Sequence, residues 1–118
     1  MLQKLNIFSQ KLNSVQEAKN GLGTIFYTNL FCSKLLEVRL DRLEYICIPS
    51  GASIGLHTHK DKAEEWYYFI SGKGEVNLNR DTFYVVAGDI CVFREGDSHS
   101  VKNITSENLN ILMIKVLL

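Results

Sequence analysis

The chain has 118 residues, 46% of them hydrophobic and 22% charged, with 13 Lys+Arg against 13 Asp+Glu. That length suits one globular domain spanning 1–118, which can bury roughly two-thirds of the surface of its unfolded chain and so needs neither disulfides nor a structural metal to form a core. Zero net charge without a Lys/Arg cluster argues against nucleic acid or an anionic membrane as partner, and the longest apolar run, five residues at 66–70, falls far short of the ~20 of a membrane helix.

The start, MLQKLNIFSQKLN, holds no apolar stretch of signal-peptide length, so a cytoplasmic protein is expected. Residues 1–23 read as an N-terminal arm, with a weakly helical pattern over 12–19, and residues 24–118 as the barrel. From position 20 onward, Gly or Asx punctuation recurs every eight to twelve residues, a spacing that predicts short strands. They fall at 24–30, 43–48, 53–59, 65–70, 75–79, 83–87, 90–94, 99–103 and 109–116. In 75–79 the alternation places Val76 and Leu78 on one face and polar side chains on the other. Nine strands in a chain this short predict an all-β closed barrel or jelly roll. Cys32, Cys47 and Cys91, odd in number and without CxxC spacing, read as reduced core thiols, and 111–116 as a core strand with Lys115 exposed.

The chain has three histidines, and two of them, His57 and His59, lie at i and i+2 in a strand-like segment, so both imidazoles point to one face. Such a pair is more often structural than metal-ligating when it stands alone. Here Glu65 follows at the start of the next strand, and His99 opens another just after Gly96. Three imidazole nitrogens and one carboxylate oxygen would leave positions open on a five- or six-coordinate ion. Parity puts Tyr67 and Phe69 on the Glu65 face, either as pocket wall with the Tyr67 hydroxyl a donor to substrate or as ordinary barrel core. Trp66, Tyr68 and Ile70 then form an outward apolar stripe, to be covered by the N-terminal strand or by a second copy in a homodimer.

These residues resemble the cupin family. Gly51, five residues, His57-Thr58-His59, then Glu65, six residues and Gly72 are similar to the first cupin motif (51–72). Gly88, five residues, Arg94-Glu95-Gly96, His99 and Asn103 are similar to the second (88–103). The resemblance is strongest to single-domain oxalate-decarboxylase-like and mannose-6-phosphate-isomerase-like cupins. It implies a jelly-roll β-barrel, a homodimer, and one divalent transition metal ion (Mn, Fe, Ni, Co, Cu or Zn) on His57, His59, Glu65 and His99. Two departures stand out. Five residues separate His59 from Glu65 where the family has three or four, which leaves Glu64 as a competing ligand, and Arg94 replaces the usual proline and could face either substrate or solvent. Asn103 reads as structural.

The expected function is a metal-dependent enzyme of lyase, decarboxylase, isomerase or cyclase type acting on a small oxygenated, anionic or chelating molecule. Glu65 would be ligand first and proton acceptor second, with Tyr67 beside it. The alternatives are a non-catalytic protein that binds a small carboxylate or sugar, a metal-dependent dioxygenase, and a barrel that a metal merely stabilises.

Overall fold

The computed structural model describes residues 4–32 and 39–118, without the side chains of residues 31 and 32. Ten strands follow one another: β1 (Asn13–Gln16), β2 (Thr24–Cys32), β3 (Leu40–Ile48), β4 (Ser53–Thr58), β5 (Ala63–Ser71), β6 (Lys73–Leu78), β7 (Asp81–Val86), β8 (Ile90–Phe93), β9 (Ser98–Lys102) and β10 (Leu109–Leu117). They form a six-stranded sheet ordered β1-β2-β3-β10-β5-β8 and a four-stranded sheet ordered β4-β9-β6-β7, with antiparallel pairing throughout. The all-β jelly roll expected from the strand spacing is present. It is built as two facing sheets that keep their own edges, not as one closed ladder.

All nine expected strands occur, with β3 beginning three residues earlier than its apolar pattern suggests. The tenth, β1, lies where a weak helix was expected, and the reason is local. Of the residues that helix would have buried, Leu12 and Val15 are exposed and only Ala18 is buried. The segment instead satisfies its backbone by pairing Asn13–Gln16 with β2. It reverses through Glu17, Lys19 and Asn20, all at positive φ, within and beside a single 3-10 turn, Ala18–Asn20. Two glycines let this turn lie on β4. A Cβ at Gly21 would fall 2.2 Å from the Ser53 carbonyl oxygen, and one at Gly55 would fall 2.1 Å from that of Lys19.

Between the sheets lies an apolar core of Ile48, Phe69, Val76, Val85, Phe93, Val101, Leu109 and Ile111, each no more than 2% exposed. Cross-strand register generates it: Tyr27, Ile46, Ile111 and Phe69 form one row across β2, β3, β10 and β5. Cys47 and Cys91 are buried free thiols, as expected, and the side chain of Cys32 lies outside the described residues. Lys115 departs from expectation. Its side chain is only 13% exposed, because its ammonium turns to Asp61 at 2.6 Å and Asp41 at 3.9 Å. Asn103, fully buried, is structural: its amide donates to the carbonyls of Ile48 (2.8 Å) and Glu107 (2.6 Å) and its oxygen accepts from the Thr105 amide (2.9 Å).

Candidate metal centre

His57 on β4 and His59 just beyond its end reach the interior through an irregularity that their i, i+2 spacing conceals. Ile54 pairs with Val101 and His57 with His99, so three steps on β4 match two on β9. This bulge, at Gly55 and Leu56, shifts the alternation by one residue and turns both Ile54 and His57 inward, while Leu56 is left 62% exposed. Within the bulge, His57 Nδ1 donates to the Gly55 carbonyl at 2.8 Å, which fixes the tautomer and leaves Nε2 as a lone-pair donor. His59 follows the end of β4 and is pinned to the next turn. Its amide donates to the Asp97 carbonyl (2.9 Å) and its carbonyl accepts from the Gly96 amide (2.8 Å), with Gly96 at φ 87°.

β5 alternates without interruption, so Ala63, Glu65, Tyr67 and Phe69 are buried while Trp66 and Tyr68 are exposed. The competition between the two glutamates is thereby resolved in geometry. Glu65 lies 3.2 Å from His59 Nε2, whereas Glu64 points to the outer face, 3.3 Å from Arg94 Nε and accepting from Trp66 Nε1 at 3.2 Å. The Arg94 side chain is 68% exposed, so it faces solvent and not the cavity. His99, the second residue of β9, is fully buried, with its ring stacked on Phe93 at 3.8 Å between centroids and 2° between planes.

His57, His59, Glu65 and His99 thus converge, with ligand atoms all within 4.8 Å of one another. The donor set fits a cation. His59 Nε2 sits 3.1 Å from His99 Nδ1 and 3.2 Å from a Glu65 oxygen, so lone pairs crowd one point with few protons to share. His99 Nε2 is buried with no hydrogen-bond partner among the described residues, a costly state for a polar atom. Burial, and then the neighbouring imidazoles, push the His99 pKa down to about 3, and burial also lowers that of His59 against the pull of Glu65. Both rings are therefore neutral at physiological pH, the form that coordinates metal.

The cluster opens on a cavity of about 460 Å³, whose walls include His57, Glu65, Tyr67, Ile54, Arg42 and Glu44. Tyr67 packs edge-on against Phe93 (5.0 Å) and His99 (5.6 Å). Burial, and then the charges of Glu65 and Glu44, hold its phenol well above the usual range, so it stays protonated. Of the two roles open to Phe69, pocket wall or core, the structure has the second: it lies deeper, in the apolar core. Lys19 also lines this wall, and Arg42 and Glu44 are the charged strand residues of it that the sequence reading missed. Their signal was present in the parity of Arg42, Glu44, Ile46 and Ile48 along β3, but that reading starts the strand at position 43 and leaves Arg42 in a loop. Burial raises the pKa of Glu44, Arg42 lowers it, and Glu65 raises it further.

A family model described as a cupin domain matches residues 44–115. The chain belongs to the cupin family. This cupin is 28% identical over 104 residues to an oxalate-binding protein of Thermotoga maritima, covering 88% of its own length and 85% of the relative's. Among solved structures, it superposes on a predicted oxalate decarboxylase from Thermotoga maritima with a TM-score of 0.93 at 25% identity, covering 98% of this chain and 100% of the other. KdgF from Halomonas shares the fold alone, with a TM-score of 0.77 at 16% identity and coverage of 98% and 94%. Among the described residues, no helix is long and apolar enough to cross a membrane.

Proposed function

We propose that this cupin holds one divalent transition metal ion on His57, His59, Glu65 and His99 and acts on a small carboxylate-bearing molecule at that ion, as a lyase, decarboxylase or isomerase. The observation that carries the reading is the convergence of three imidazoles and one carboxylate at the wall of a cavity large enough for such a ligand. The ion would supply a Lewis acid with open positions for carboxylate or carbonyl oxygens. The chain's own residues do the rest. The hydrogen bond from His57 to Gly55 orients that imidazole, and Phe93 stacked on His99 keeps water from the far side of the ring. The Tyr67 phenol, held protonated, is a hydrogen-bond donor to the ligand, and Glu65 serves first as metal ligand and second as proton acceptor.

A second reading, a non-catalytic carboxylate binder, is favoured by the oxalate-binding relative and by Glu65 being committed to the cluster. In both readings the protein works in the cytoplasm as a homodimer, with the outward side chains of Trp66 and Tyr68 at the contact.

Elemental analysis of untagged protein, beside a His57→Ala/His99→Ala double variant, tests the metal. The expected result is about one equivalent of a single transition metal in the native protein and none in the variant; no metal in either, and none taken up on titration, would overturn the proposal. Screening the loaded protein for turnover of small carboxylates then separates the readings. An enzyme converts one of them, whereas a binder is stabilised by it without turnover.

A further inference from the structure

The cavity wall carries two cations that the metal cluster does not use, Lys19 on the N-terminal turn and Arg42 on β3, and only the second stands in the strand row of the cluster. Arg42 lines the same space as His57 and Glu65, with its side chain 40% exposed. Its Nε is nevertheless buried with no hydrogen-bond partner among the described residues. The one carboxylate within 4 Å of it there is Asp41, at 4.0 Å, too long for a hydrogen bond. A desolvated donor without an acceptor is unfavourable, and the planar fork of a guanidinium matches a carboxylate.

Register fixes where this cation stands relative to the cluster. Arg42 and Glu65 are both cross-strand partners of Lys115 on β10. Their backbones therefore lie two strand spacings apart, roughly 10 Å, in one row of the sheet. Lys115 between them is occupied by Asp61 at 2.6 Å, which leaves Arg42 as the cation of that row with a donor to offer. Glu44, two residues along the same strand face, is the opposing charge, its pKa raised by burial and lowered by Arg42 itself. A ligand with one anionic group would satisfy the ion and leave Arg42 as it is. A ligand with two would satisfy both.

We infer that Arg42 recognises a second anionic group on a ligand held at the His57, His59, Glu65 and His99 cluster, so that the cavity selects dicarboxylates over monocarboxylates. This rests on the metal and carboxylate reading above and adds the determinant of ligand class.

The test uses the full chain brought to one equivalent of Ni2+, an ion with high affinity for nitrogen-rich sites, and titrates it calorimetrically with malonate, succinate and glutarate against acetate and propionate. The native protein is expected to bind at least one diacid tenfold or more tightly than either monoacid. Arg42→Met, which keeps the apolar stem, should lose that preference while Ni2+ uptake and monoacid affinity stay within twofold. Arg42→Lys, which keeps the charge without the fork, should retain part of it and guards against a folding defect in the first variant. Diacid preference undiminished in both variants, or monoacid binding equal to diacid binding in the native protein, overturns the role of Arg42 and leaves the metal-site proposal standing. Loss of Ni2+ uptake in both variants also overturns it, since Arg42 would then support the cluster and not the ligand. Native protein that takes up Ni2+ but binds no carboxylate of either kind overturns the carboxylate reading itself.

Discussion

The two ends of the space between the sheets are lined by neighbouring residues of the same strands, yet they behave as opposites. Along β5, Phe69 is fully buried in a closed apolar core, while four residues earlier Glu65 faces three histidines at an open cavity. Along β3, Ile48 is core and Ile46 stands at the boundary, whereas Glu44 and Arg42 on the same face line the cavity. The apolar end supplies the free energy of folding through buried area, and its stability carries the cost of collecting polar groups at the other end. The strands are thus rigid levers with a stabilising half and a chemical half.

This contrast can be broken from the apolar side first. Phe69→Ala is expected to destabilise the protein by about 3–5 kcal/mol, the range for truncating a fully buried Phe, measured by urea unfolding. Metal affinity of the fraction that remains folded should be nearly unchanged. A cost below about 1 kcal/mol would mean that the core does not depend on this row.

The polar end should reveal itself through pH. His99 is held at about 3 and His59 is also lowered, so below the ordinary imidazole value of 6.5 the unfolded chain binds protons that the folded chain refuses. Stability of the chelator-treated protein should therefore be complete above pH 6.5 and fall as pH drops from 6.5 toward 3 through His99, by up to about 1.4 kcal/mol per pH unit, with His59 adding in the same direction. The same titration on a His99→Phe variant should show a shallower fall. An equal slope in the variant would show that His99 does not drive the effect.

A smaller and sharper contrast lies within one dipeptide. Glu65→Gln is expected to weaken metal binding at least tenfold with little change in the Tm of the metal-free protein. Glu64→Gln removes only the exposed pair with Arg94 and should move stability by no more than about 0.5 kcal/mol, with metal binding unaffected. Isothermal titration of both variants decides it; equal losses at the two positions would contradict the assignment of one glutamate to each face.

Much of this was legible in the chain itself. Period-2 alternation from Ala63 to Phe69 specifies which glutamate, tyrosine and phenylalanine share a face, because strand geometry leaves a side chain only two directions. The glycine and Asx turns between strands specify an all-β fold, and the spacing of His57, His59, Glu65 and His99 singles out the four residues that converge. What parity could not give is anything that breaks parity or depends on a neighbouring strand. The bulge at Gly55 and Leu56 shows only when β4 is laid against β9. The Asn13–Gln16 strand forms because β2 offers a ladder and the two glycines at 21 and 55 let the intervening turn close on β4, none of which is encoded within 12–19. The burial of Lys115 depends on Asp61, and the place of Arg42 on the cavity wall depends on its pairing with β10. Local pattern thus determined faces where the alternation is unbroken, and tertiary structure alone decided where it breaks and which faces meet, because register between strands distant in sequence is set by packing of the whole sheet and not by any one segment.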